Sequence, residues 1–186
     1  DVELAREKAE ACFADFRGAG ARVVVTSCPG CASALNRHKD LAERSGVRVQ
    51  HITQFLSERM DLSSLKKGRS YGAVTFHDPC DLGRELGVYD EPRRLLAAAT
   101  GAKPAEMERS RAESACCGSG SGVRSAFPEL ASSIASERVE MARTAGARTI
   151  VTSCPWCMQS LRECQGKEAA VEVLDLVDLL AASVKK

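Results

Sequence analysis

The spacing of apolar residues changes character several times along the chain, and each change predicts a boundary. Residues 4–17 place apolar side chains at helical intervals, with Gly18 and Gly20 to stop the turn, which predicts an amphipathic helix. Residues 23–26 are a short β-branched run, the pattern of a buried strand. A helix is expected from Pro29, because proline fits the first helical turn. Residues 47–52 then predict a strand and 53–60 a helix. The polar stretch over 65–70 marks a boundary, which divides the chain into units 1–66 and 70–186. Beyond it, residues 71–76 predict a strand, 91–99 a helix opened by Pro92, 105–109 a short strand, and 128–144 a long helix. A strand at 149–152, a helix at 155–164, a strand at 171–174 and a helix at 175–184 complete the pattern. Strands alternating with helices predict an α/β fold of small, mostly parallel sheets covered by helices.

Two stretches of this pattern repeat. ARVVVTSCPGC, from Ala21, returns as ARTIVTSCPWC, from Ala147, a shift of 126 residues. The register holds upstream, where Glu3-Leu4-Ala5 falls on Glu129-Leu130-Ala131, and downstream, where Leu35 falls on Leu161. A shared register of this length predicts an internal duplication. Asp1 falls on Phe127, so the first copy is expected to start partway through its unit.

Composition narrows the function classes. Lys plus Arg number 26 against 25 for Asp plus Glu, a net charge of +1, which excludes a strongly basic nucleic-acid binder. The longest unbroken apolar run has five residues, 95–99, against the ~20 that span a bilayer, so no transmembrane segment is expected. Nine cysteines are many for 186 residues, and their odd number does not suit a closed disulfide framework. A cytoplasmic setting follows, at a membrane only through partner subunits.

From residue 80 onward the cysteines are ordered: Cys80, 35 residues, Cys116-Cys117-Gly118, 35 residues, Cys154, two residues, Cys157. Five thiolates from three turns exceed one tetrahedral zinc and suit a polynuclear iron–sulfur centre. Cys80 and Cys154 each follow a strand beside a proline that opens a helix, where the helix terminus favours a thiolate. The glycine-rich run after Cys117 can turn its N–H groups toward cluster sulfur. Two other readings stay open: a thiol–disulfide oxidoreductase using Cys154 and Cys157, and a structural zinc module holding four of the five cysteines.

The pattern with a Cys-Cys-Gly centre resembles that of the CCG, or cysteine-rich, domain family, and HDPCDLGRELGVYDEPRRLL and CCGSGSGVRSAFPEL are similar to its heterodisulfide-reductase B/D branch. The resemblance implies tandem CCG domains, the first truncated. It implies an iron–sulfur cluster, a [4Fe-4S] cluster that is non-cubane in heterodisulfide reductases, held by Cys80, Cys116, Cys117, Cys154 and Cys157. Gly118 belongs to the same cofactor-binding motif. It further implies an oxidoreductase subunit of electron-transfer or disulfide-reducing function, like those of heterodisulfide reductases or glycolate and lactate oxidation complexes. Such a subunit works with other redox subunits, and a disulfide or small organic acid is turned over by the complex. Cys28 and Cys31 match the terminal pair of the first copy. They are expected to bind a cluster only with an upstream half, without borrowing the second copy's ligands.

The remaining candidates have blander expectations. Cys12 and Cys164 read as partly buried small residues. His77 reads as a strand-end histidine that could approach the cluster, while His38 and His51 read as surface or internally satisfied. Asp78 reads as a helix N-cap. Arg84, Arg93 and Arg94 suit a solvated helix face or an anionic partner, and Trp156 either shields the centre or simply packs.

Overall fold

The computed structural model describes residues 1–65, 70–166 and 171–184. The expected boundary at 65–70 therefore lies for the most part outside the described residues. The first unit runs α1 (Val2–Gly18), β1 (Val23–Thr26), α2 (Pro29–Asn36), α3 (Lys39–Ser45), β2 (Arg48–His51) and α4 (Ile52–Arg59). The Asp1 carboxylate caps α1 by accepting from the N–H groups of Glu3 and Leu4 at 3.0 and 3.2 Å. β1 and β2 pair in parallel, Val23 opposite Arg48. Their core is small: Ala9 and Phe13 of α1, Leu41 of α3, Val47 and Val49.

The second unit contains β3 (Val74–His77), a five-residue π-helical turn (Asp81–Glu85), α5 (Asp90–Thr100), α6 (Val123–Ala126), α7 (Pro128–Thr144), β4 (Thr149–Thr152), α8 (Pro155–Glu163), β5 (Glu172–Asp175) and α9 (Leu176–Ser183). The strands form a parallel sheet ordered β3-β4-β5. The fold is thus α/β, with two small parallel sheets covered by helices, and the β1–β2 pair repeats the β4–β5 pair.

β4 is buried at all four positions, so it carries no polar face. Ile150 points into a cluster with Ala135, Val139, Ala142 and Leu161 under α7 and α8. Its neighbour Val151 points the other way, to Phe76, Leu95, Leu96, Leu176 and Leu180 under α5 and α9. Each fully buried side chain of this size contributes ~1.5–3 kcal/mol. The first unit leans on this second layer, because Leu56 and Met60 at the end of α4 pack against it.

Three expectations are corrected. The strand foreseen at 71–76 begins only at Val74, because Gly72 has φ +68° and breaks the extended run. The segment 105–109 is no strand: Ala105 alone meets β3, donating to the Val74 carbonyl at 2.7 Å and accepting from Thr75 Oγ1 at 2.6 Å. Pro104 lacks the N–H that would extend the ladder, and Glu106 turns toward Arg93. Cys12 is exposed rather than partly buried, since α1 buries only its Ala9 and Phe13 stripe. The α3 helix and the π-helical turn were not foreseen.

Candidate metal centre

Three of the four cysteine groups singled out by the pattern sit just past the carboxyl end of a parallel strand. β1 ends at Thr26, and Cys28 is the N-cap of α2 with Pro29 in its first turn. β4 ends at Thr152, and Cys154 is the N-cap of α8 with Pro155 in the same place. β3 ends at His77, and Cys80 opens the π-helical turn, a rare geometry concentrated at functional sites. Cys116 and Cys117 arrive on the loop before α6.

These turns surround one cavity of about 840 Å³, lined by Cys28, Cys31, Cys80, Cys117, Cys154 and Cys157. Cys117 Sγ lies 3.2 Å from Cys157 Sγ, both buried. Cys116 is exposed and does not line the cavity. Its sulfur accepts from the Gly118 N–H at 3.2 Å, and it is near enough to Cys117 and Cys80 to be influenced by both. Cys116 is thus exposed and Cys117 buried, with their sulfurs close enough to share a hydrogen bond. Gly118 has φ +76°, and a Cβ there would stand 2.5 Å from the Ala131 carbonyl oxygen of α7. Only glycine lets the loop turn inward this close to the helix.

Cys28 and Cys31 are expected to bind a cluster only with an upstream half, without borrowing the second copy's ligands. The structure places them on the same cavity as the second copy's cysteines, with Cys31 close enough to Cys154 to feel its charge. The physical reason is the packing of α4 on α5 and of α2 on the π-helical turn, which aims the carboxyl edges of both sheets at one place.

So many sulfurs in so little water cannot all ionise. Hydrogen bonding from the Cys116 thiol and then the Cys157 thiol holds Cys117 well below the usual thiol range, and the nearby His77 ring lowers it further. Cys154 is lowered mainly by the Cys157 thiol. Cys157 is pushed up by its contacts with Cys117 and Cys154 and by burial. Cys80 is raised mainly by burial and next by Asp81. A thiophilic cation would release this conflict by replacing the shared protons. Three buried polar atoms beside these cysteines point the same way: His77 Nε2, Ser119 Oγ and Ser153 Oγ have no hydrogen-bond partner among the described residues. Each orphan costs ~1–3 kcal/mol; Ser119 lines the cavity and His77 lies within 4.8 Å of the Cys117 and Cys157 sulfurs, where a group carrying sulfur acceptors would satisfy them. The soft donor set and these waiting donors fit an iron–sulfur group.

The frame around the site is ionic. Asp78 is not a helix cap: it is buried and receives two bonds from Arg93, at 2.6 and 2.9 Å. Its Oδ2 also accepts from the Arg111 N–H at 2.8 Å, and its carbonyl accepts from Ser114 Oγ at 3.2 Å. Arg93 continues to Glu106 with bonds of 2.7 and 2.8 Å. The Cys80 turn and the Cys116 loop are thereby tied together. Arg93 is buried rather than on a solvated face, and Arg84 donates to the carbonyls of Ala112 and Ser114 at 3.2 and 3.0 Å. Arg84 and Arg94 are both exposed, and Arg94 is bonded to Ser57 Oγ at 2.8 Å. Trp156 lines the cavity but is 56% exposed, so it stands at the rim.

His51, fully buried, ties the two repeats. Its Nδ1 accepts from the Thr53 N–H, and its Nε2 faces the Ser27 carbonyl at 3.2 Å, with the Ser153 carbonyl as a second acceptor. Those serines precede Cys28 and Cys154. Burial pushes the His51 pKa down to about 4. The unfolded chain, with an ordinary value near 6.5, binds this proton first. His51 therefore favours folding above pH ~6.5, and about 3 kcal/mol of that is lost as pH falls to 4. Urea titrations of the metal-free chain between pH 7 and pH 4 are expected to show this slope, shallower in His51→Gln.

Sequence reasoning missed Arg138, which is fully buried in the middle of α7. A signal was available: Arg138 occupies the apolar stripe formed by Ala131, Ala135 and Ala142. A charged residue in such a stripe needs a partner in the core.

Comparison with known proteins agrees with this geometry. A family model described as "Cysteine-rich domain", CCG, matches residues 2–36 and 74–162. The chain is 36% identical over 186 residues to one subunit of the dihydromethanophenazine:CoB–CoM heterodisulfide reductase of Methanosarcina acetivorans, covering 98% of this chain and 44% of that protein. It is 37% identical over 165 residues to one subunit of the fumarate reductase (CoM/CoB) of Methanothermobacter marburgensis, covering 87% of this chain and 32% of that one. It is 34% identical over 186 residues to a probable iron-sulfur-binding oxidoreductase, FadF, of Bacillus subtilis, covering 97% of this chain and 26% of the relative. The chain spans less than half the length of these relatives. No described helix is long and apolar enough to cross a membrane.

Proposed function

The chain belongs to the family of CCG cysteine-rich domains, and from that premise we propose that it is the cluster-binding part of an iron–sulfur redox subunit, of the heterodisulfide-reductase kind. In this reading Cys80, Cys116, Cys117, Cys154 and Cys157 hold one [4Fe-4S] cluster, of the non-cubane type if all five ligate. The observation that carries it is the convergence of Cys80, Cys117, Cys154 and Cys157 on one cavity at the carboxyl edge of β3 and β4, with Cys116 near enough to influence Cys117 and three buried donors that have no partner among the described residues. The cluster, when bound, supplies the one-electron chemistry. The protein supplies the thiolates, a partly dry wall that sets the dielectric, and N–H and O–H groups aimed at sulfur. Gly118 acts through its backbone, by letting Cys117 turn inward. Residues 1–66 are the rear of a first CCG unit and 70–186 a second. Cys28 and Cys31, at the matching positions of the first repeat, line the same cavity. Electrons come from and go to partner redox subunits, and a disulfide or small organic acid is a substrate of that complex.

Anaerobic purification with iron and sulfide analysis and electron paramagnetic resonance tests the proposal. About four irons and an equivalent amount of acid-labile sulfide per chain are expected. A colourless chain that takes up zinc in place of iron would overturn it in favour of a structural zinc module. A chain that cannot be loaded, with reactivity confined to an acidic Cys154 thiol, would instead support a thiol–disulfide oxidoreductase.

A further inference from the structure

We propose that His77 donates a hydrogen bond from Nε2 to the Cys117 sulfur at the cluster site, and that Arg138 is the positioning residue that keeps the imidazole in the donating tautomer. This rests on the iron–sulfur reading of the cavity. The argument starts from what a guanidinium can do: it has only donors. Arg138 Nε donates to His77 Nδ1 at 3.1 Å. One terminal nitrogen donates to the Arg109 carbonyl at 2.6 Å and the other to Ser114 Oγ at 3.2 Å. His77 Nδ1 must therefore present its lone pair. A neutral imidazole with a bare Nδ1 carries its proton on Nε2.

That Nε2–H is buried in a residue 1% exposed and has no partner among the described residues. A ring nitrogen of His77 and the sulfurs of Cys117 and Cys157 all lie within 4.8 Å of one another. Taken by distance alone, these three form a metal-ligand triad. Arg138 forbids it. Ligation through Nε2 would move the proton to Nδ1 and set an N–H against the N–H of Arg138. Burial lowers the Arg138 guanidinium only to about 10, so it stays charged near neutral pH and the opposition holds. His77 is thus a donor to a ligand sulfur, not a ligand. Hydrogen bonds to cluster sulfur stabilise the more electron-rich state and raise the reduction potential.

The test has a metal-free arm and a loaded arm on the full chain. In the metal-free protein, nitrogen-15 NMR of His77 is expected to show Nε2 protonated and Nδ1 bare, with Arg138→Gln weakening that preference. In the loaded protein, His77→Leu is expected to keep its iron and to shift the midpoint potential to more negative values. His77→Gln, whose amide nitrogen reaches the place of Nε2, should restore most of the shift. His77→Asn, whose shorter amide overlays Nδ1 instead, should shift as Leu does, and stands in for Leu if that variant does not fold. A bare Nε2, an unchanged potential with iron retained, or iron loss as severe as in Cys117→Ser would each overturn the proposal. A wild-type chain that never holds a cluster would overturn the parent reading, while the tautomer measurement still judges the Arg138–His77 pair.

Discussion

Cys117→Ser is expected to leave the anaerobically loaded chain with under about a tenth of its iron, the largest loss of any single side-chain change outside the core. Cys117 is the buried hub of the site: its sulfur contacts Cys157, and it is influenced by Cys116, Cys80 and His77. A serine hydroxyl is hard and poorly acidic, so it does not replace a thiolate toward a soft metal. Cys12→Ser on the exposed face of α1 and Cys164→Ser at the end of α8 are the controls, expected to hold wild-type iron. Iron and sulfide counts on the three variants, prepared side by side, decide it; equal loss in all three would mean that the ligands lie elsewhere.

Arg93→Ala is expected to cost about 3–5 kcal/mol of folding stability, read as a lower midpoint in urea titrations of the metal-free chain. The cost comes less from losing attraction than from what remains. Asp78 has 2% side-chain exposure and would keep a buried charge with only the Arg111 N–H as its short bond. Glu106 is 42% exposed and would turn to water instead. Arg94→Ala next door, on the solvent side of α5, should change stability by less than about 0.5 kcal/mol. Because Asp78 ties the Cys80 turn to the Cys116 loop, Arg93→Ala should also load iron poorly even where it folds. Arg93→Ala with wild-type stability would show that the ion pair is replaceable by water.

Much of this protein is determined locally. The β-branched runs at Val23–Thr26 and Thr149–Thr152 are strands with the bounds expected of them, and Pro128–Thr144 is one helix. In each the period of the apolar residues and the flanking proline or glycine agree, so tertiary forces have nothing to override. The cysteine order and the repeat likewise name the chemistry and the family, because the ligand types and their spacing are local features of the chain.

What only the tertiary structure decided are the matters of burial and direction. Asp78 and Arg93 are 15 residues apart and read singly as a cap and a surface cation; folding buries them against each other. Cys28 and Cys31 share a cavity with Cys154 because the α4–α5 contact sets the angle between the sheets, and no local pattern encodes that angle. The proton of His77 is fixed by Arg138, 61 residues away. The sequence determines which donors, acceptors and thiols exist and which element carries each. Long-range packing determines which of them lose water together, and it is the loss of water that makes a charge need a partner and a tautomer need a reason.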